Sequence, residues 1–454
     1  MVAPVRLLAN CVVGLGFSAH GFELGLEREP HLIGCDAGSA DFGPGYLGSG
    51  RDPKSRISVM RDLRLMLEGA RRLDVPLVFG SCGGAGAQPH VAGYLKMIQE
   101  LAAESDQHFR VALVHADQPA GYLHAAVDAG RIRPLGVFPE LSHEDIDSSA
   151  AIVAMMGAGP LVAALDAGAD VVLAGRCADP AIFACGALRA GVAAGPAWHV
   201  AKSIDKGYLA TQTPREGSPV LATVDDDGFV IEPMKPGVVC TTRTVAQVTM
   251  HENPDPFYVT QPTGAISTQS AHYEQLDGGR VRVTGSEWVA AERPSVKLEG
   301  ARLVGYRSIM IAGIRDPRLL ARLDEFLVDY RRLLERVAAS LGIAPERWTL
   351  RFRSYGRNGV MGDLEPLIDD MPHEIGLVVD VVADDQDVAT ALVGRAGPTG
   401  SRYDFTGRLG GGGNFAYPFS PNVLSLGPVF EWSAWHVLDL DDENEPFRVE
   451  LVDV

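Results

Sequence analysis

The chain has 454 residues, 46% of them hydrophobic and 22% charged, with a formal net charge of −18. That is an ordinary soluble globular composition, long enough for two or three domains. The acidic surplus excludes a nucleic-acid partner, which needs a clustered basic face, and no run reaches the ~18–20 apolar residues of a membrane span.

The N-terminal MVAPVRLLANCVVGLGF lacks the charged region, long apolar run and cleavage site of a signal peptide. Six cysteines, Cys11, Cys35, Cys82, Cys177, Cys185 and Cys240, include no C-x-x-C pair. Reduced thiols in the cytoplasm are the expected state.

From residue 1 to about 200, apolar runs alternate with helical patterns. After RLLANCVVGLG come HLIGCD, a helix over Pro53–Leu73 with Val59, Leu63, Met66 and Leu67 on one face, then VPLVFG, HVAGYLKMIQELAAES, FRVALVHA, AGYLHAAVDAG, ADVVLAG and DPAIFACGALRAG. Unbroken apolar strands in βαβα order predict an α/β fold with a doubly wound, mainly parallel sheet and right-handed crossovers. Residues 201–342 read as a β-rich region. Its short runs, SPVLATVDDDGFVIEPM, RTVAQVTMH, YVTQPTGAISTQS, GGRVRVTGSEW and SVKLEGARLVGYRSIMIAGI, precede an amphipathic helix over Pro317–Ser340. Residues 343–454 read as a small C-terminal α+β subdomain of βαβ type.

Four of the apolar runs stop in polar, glycine-rich loops: HLIGCDAGSAD, VPLVFGSCGGAGAQPH, VALVHADQPAG and VVLAGRCADPA. Open α/β sheets bind ligands outside the carboxyl ends of their strands, so the site is expected where these loops converge. Asp36, His115, Asp117 and Asp179 are the candidate proton-transfer groups. Ser39, Ser81, Cys82, the Gly83 and Gly84 amides and the Arg176 guanidinium are the candidate substrate-binding groups, since small-residue loops form anion-binding nests. Asp36 and Asp41 are candidate ligands for a divalent cation, because carboxylates crowded in one crevice repel unless protonated or paired. Arg357 and Asn358, in FRSYGRNGVMGDLEP, or the Gly410–Gly413 loop are expected to close over the ligand. VVGLGFSA also fits the G-x-G-x-x-A pattern of a nicotinamide-binding turn, with Asp36 ending the next strand, although Gly21 and Gly25 each weaken the intervening helix by about 1 kcal/mol.

GCDAGSADFGPGYLGSG, GSCGGAGA, ADVVLAGRCADPA, RPSVKLEGARLVGYR, YGRNGVMGDLEP and FAYPFSP together resemble the acyclic terpene utilisation family typified by AtuA. Ala40 stands where similar members carry Thr. The resemblance implies catabolism of a small carboxylate or its coenzyme A thioester and a small companion subunit; the long amphipathic helices and the β-rich insert of this acidic chain lead to the expectation of a homo-oligomer or of such a complex. The expected function is a lyase, hydratase or isomerase using strand-end carboxylates. A non-catalytic acyl-CoA-binding or scaffolding subunit of a carboxylase assembly is one alternative, and an NAD-dependent oxidoreductase the other.

Overall fold

A computed structural model describes residues 2–10, 12–212 and 217–454; Cys11 lies outside them. The fold is α/β. Five parallel strands form its centre: β1 (Val5–Ala9), β2 (Leu32–Asp36), β3 (Leu77–Gly80), β4 (Arg110–His115) and, after the short β5 (Ile132–Pro134) and β6 (Ala151–Ala154), β7 (Val171–Ala174). Their order in the sheet is β1-β2-β3-β7-β4. Thus the four runs that end in polar loops lie side by side, as their apolar continuity predicts.

Alternation along these strands feeds two faces. Leu8, Ile33, Phe79, Leu113 and Leu173 pack against the helices Ala19–Leu26, Arg56–Leu73 and Gln88–Ser105, and Val59, Leu63, Met66 and Leu67 form the buried stripe of the second. The opposite face carries Gly34 and Gly80, where helix Ala181–Arg189 comes so close that an added Cβ at Gly34 would sit 2.5 Å from the Phe183 ring.

Beyond β1 the sheet continues antiparallel through β8 (Val220–Asp225), β9 (Gly228–Pro233), Arg280–Thr284 and His272–Leu276, and beyond β4 it ends in the edge strand Arg448–Asp453. Tyr258–Gln261, Gly264–Ser267 and Glu287–Ala290 make a separate three-stranded sheet. RTVAQVTMH, expected as a strand, is instead the helix Thr242–Thr249. Thr241 caps it through the Thr244 amide and Val245 and Val248 are buried at helical spacing, so the cap overrides the β propensity of Thr and Val.

The chain divides into two compact units. The first comprises residues 1–302 and 432–454 and the second Leu303–Glu431, so the bounds expected near 200 and 342 do not coincide with them. The β-rich region fails to separate because its strands extend the main sheet. The second unit runs βαββαβ: the later part of strand Ser295–Ile314, helix Leu323–Ser340, Trp348–Tyr355, Ile375–Ala383, helix Gln386–Ser401 and the early part of Leu424–Asp439. With the first and third of its strands central, this is a ferredoxin-like arrangement. The amphipathic helix therefore belongs with the C-terminal elements, burying Phe326, Tyr330 and Leu334 against Leu377, Val379 and Leu392.

Gly34→Ala should destabilise the chain by about 1–3 kcal/mol, the usual cost of overpacking. Gly93→Ala, on helix Gln88–Ser105 where nothing lies within 4 Å, should stabilise it by about 0.5–1 kcal/mol. Denaturant melts that order the two the other way would refute the close approach of helix and sheet.

Candidate functional site

β3 and β7 are neighbours, but the helices that follow them leave to opposite faces: Gln88–Ser105 joins the face of Phe79, while Ala181–Arg189 lies against Gly34 and Gly80. Such a switch point opens a crevice outside the carboxyl ends of the strands. The loops around it interlock at glycines. A Cβ on Gly38 would collide with Gly84 Cα, and one on Gly86 with the Arg176 backbone, which is why the two small-residue loops tolerate no side chains there. Ser81 takes a left-handed conformation, φ 50°, and its hydroxyl accepts from the Cys177 amide at 3.2 Å and the Arg176 guanidinium at 3.3 Å.

Charged side chains then alternate across this edge. Asp36, 2% exposed, accepts the Gly38 amide at 2.9 Å and faces the Lys206 ammonium at 3.2 Å. The same ammonium lies 2.5 Å from Asp179. Asp179 is 3.9 Å from Arg176, whose guanidinium grips Glu299 at 2.8 and 3.4 Å, and Glu299 in turn pairs with Lys297 at 2.7 Å. Lys54 donates to the Ala37 carbonyl beside Asp36.

Burial pushes the Asp36 carboxyl up to about 6, reinforced by the neighbouring Asp179 and opposed by Lys206, the Gly38 amide and Lys54. For Lys206, burial works against the charged form, but Asp36, Asp179 and Asp205 outweigh it and drive its pKa up. The lysine is therefore a fixed cation rather than an amine nucleophile. Burial also opposes ionisation of Glu299, yet Arg176 and Lys297 prevail and hold its carboxyl below the ordinary value. The edge thus offers one carboxyl that titrates near neutrality beside a permanent positive charge, the pairing needed to move a proton while negative charge develops nearby.

The other sequence-derived candidates have different places. Arg176 is buried with its donors committed to Glu299, Ser81 and the Cys177 carbonyl, so it organises the edge and is not an open anion receptor. Ser81 is its latch. Ser39 caps the turn Ala40–Phe42 by accepting from the Asp41 amide at 3.0 Å, and Asp41 itself is exposed. Cys82 is fully buried and burial pushes its thiol up, which leaves it inert as a nucleophile. Gly84 spends its amide on the Ser81 carbonyl, and a Cβ on Gly83 would press on His90.

His115 ends β4 and Asp117 lies just beyond it, and no hydrogen bond or ion pair among the described residues links them to the Asp36–Lys206–Asp179 chain. His115 pairs with Glu450 at 3.1 Å. Burial raises the Asp117 carboxyl against the Gln88 amide, and one of its oxygens is buried without a partner. Arg357 lies in the second unit, paired with Asp324 at 2.8 Å, and Asn358 lies in the turn beside it.

No three His, Cys, Asp or Glu side chains among the described residues gather as metal ligands. The cation anticipated between crowded carboxylates is supplied by Lys206. The nicotinamide reading meets a similar substitution: the Gly14 and Gly16 amides, which would hold a pyrophosphate, donate to the buried Asp62 carboxylate at 2.9 and 3.1 Å. Gly21 and Gly25 serve packing, since a Cβ on Gly25 would lie 2.5 Å from Leu8.

Lys206, Glu299, Lys54 and Asp62 escaped sequence reasoning. Lys206 follows a helix, Ala194–Ile204, whose residues from Gly195 onward are all buried. The burial of that helix, which also holds Lys202 and His199, is not visible in its mixed sequence, so no signal there marked Lys206.

The family described as acyclic terpene utilisation family protein AtuA matches residues 58–191 and 195–401. No curated protein and no solved structure matches the chain.

Lys206→Met leaves two carboxylates facing each other out of water and should cost about 3–5 kcal/mol; adding Asp36→Asn should restore part of it. Because the Asp36 pKa rises from 3.8 to about 6 on folding, its stabilising contribution is complete below the unfolded value and is lost as pH rises through 6. The stability of the wild-type chain relative to Asp36→Asn should therefore fall between about pH 4 and 7. A difference that is flat or rises over that window would show that Asp36 is not so placed.

Proposed function

The chain belongs to the acyclic terpene utilisation family, and from that premise we propose that it is an enzyme of proton transfer, a lyase, hydratase or isomerase acting on a small carboxylate or its acyl-CoA thioester. The observation that carries this reading is the Asp36 carboxyl, moved up to about 6 and held 3.2 Å from the Lys206 ammonium at the switch point of the sheet.

A general base works best with a pKa near the operating pH. Asp36 takes a proton from the carbon next to the substrate carbonyl, and the electron pair moves to the carbonyl oxygen. Lys206 has three N–H donors and commits two of them to Asp36 and Asp179, leaving one for that developing oxyanion. The protonated Asp36 then returns its proton to the product side. Because Arg176 is consumed by Glu299, recognition of the substrate anion is assigned to Lys206 and Lys54.

A cytoplasmic setting is part of this reading: the described Cys82, Cys177, Cys185 and Cys240 are buried thiols, and no described helix is long and apolar enough to cross a membrane. A homo-oligomer, or a complex with a small companion chain, is the expected working form.

The test is turnover of a panel of carboxylates and their coenzyme A esters. Asp36→Asn should lower kcat by about 10²–10⁴-fold with ligand binding retained, and Lys206→Met should weaken binding as well. The wild-type kcat/KM should rise with pH through about 6. Full activity in Asp36→Asn would sink the proposal. Stoichiometric ligand binding by the wild-type chain without turnover would assign it instead to the scaffolding class.

A further inference from the structure

The second unit carries its two long helices on one face of its sheet. Leu350, Leu377, Val379, Val381 and Met310 point into the core beneath helices Leu323–Ser340 and Gln386–Ser401, so the residues alternating with them line the opposite face. The strand register sets these out in rows: Arg351, Asp380 and Ile309, then Arg353, Val378 and Ile311. Asp380 is already answered by Arg307 at 3.0 Å. Arg351 and Arg353, on the edge strand Trp348–Tyr355, are exposed and meet no acid among the described residues. The face is therefore apolar along its centre and basic along one edge.

The loop that leaves this edge strand has the complementary character. Residues 356–374 run from Trp348–Tyr355 to Ile375–Ala383 with no regular structure beyond the single turn Gly362–Leu364, which is longer than the roughly 12–15 residues above which a loop is usually functional. Val360, Leu364, Leu367 and Met371 are 84%, 80%, 64% and 63% exposed. Asp363, Asp369 and Asp370 stand between them, also exposed, and their carboxylates have no partner among the described residues. Apolar surface of this kind, rimmed by polar groups, marks a site of interaction.

One chain thus presents both halves of a contact, an acidic apolar loop and a basic apolar face, and no ion pair among its described residues joins them. We propose that a second copy of this chain makes the contact. The loop of each copy lies across Ile309, Ile311 and Val378 of the other, with Asp369 and Asp370 set against Arg351 and Arg353, whose planar guanidinium groups match carboxylates. Made twice about a two-fold axis, the contact is reciprocal and closes at a dimer. It gives the expected homo-oligomer a surface, and it stands or falls apart from the proton chemistry of the crevice.

The experiment is light scattering of the full chain at micromolar concentration, with sedimentation equilibrium for the dimer Kd. The wild-type chain should be a dimer whose Kd rises with ionic strength. Arg351→Glu with Arg353→Glu, or Asp369→Arg with Asp370→Arg, should each raise that Kd at least about 100-fold, because like charges then face each other across the contact. All four residues are exposed, so both double variants should keep the fold, which circular dichroism verifies. Mixing the two should restore a dimer, since the intact loop then meets the intact face and the reversed loop the reversed face. A monomeric wild-type chain, a dimer indifferent to either reversal, or folded variants that fail to pair on mixing would each overturn the proposal.

Discussion

Everything at the crevice depends on one ammonium group. Asp36 and Asp179 arrive from different strands of a sheet whose parallel register is set by apolar packing, and nothing in that packing favours bringing two carboxylates together out of water. Lys206 makes the arrangement tenable by lying within 3.2 Å of one and 2.5 Å of the other. The balance is not even: Asp36, fully buried, is left close to its titration point, while Asp179, 15% exposed at its side chain, keeps some contact with solvent. Burial and a charge of opposite sign within the same few ångströms thus act on Asp36 in opposite directions.

Much of the architecture was legible because it rests on short-range patterns. Runs such as VVLA and LVFG read as buried parallel strands, and the stripe of Val59, Leu63, Met66 and Leu67 reads as a helix face; both follow from periodicity alone. The Asp36 and Asp179 positions were legible for the same reason, as acids at the end of an apolar run and in the loop that follows one. What sequence reasoning could not supply was pairing at long range. Lys206 is 170 residues from Asp36 and Glu299 is 123 from Arg176. A guanidinium read in isolation therefore looked like a ligand receptor when its donors were already taken. The hairpin of β8 and β9 likewise looks self-contained in sequence, because the pairing of β8 with β1 is long-range.

The glycine turn at Gly14–Gly16 shows how one motif serves two ends. Its amides converge as they would on a phosphate, yet the negative charge they receive is Asp62, carried on helix Arg56–Leu73 and fully buried. The turn thereby anchors that helix, and Gly14 comes close enough to Lys54 that a Cβ there would lie 2.8 Å from its Cδ. An anion-binding geometry has been turned inward, to hold the protein's own parts in place.

The strand Arg448–Asp453 pairs antiparallel with β4 and covers what is otherwise an open flank of the main sheet, from His115 to Arg110. It is made only after the whole of Leu303–Glu431. During synthesis, β4 therefore presents unpaired amides and carbonyls for the time needed to translate more than three hundred residues. An uncapped sheet edge is a template for pairing with another chain, and such a late, distant contact is slow to close. Until that strand is made the nascent chain keeps this flank open to other chains, so its yield should respond to chaperone supply and translation rate as well as to the stability of the finished fold.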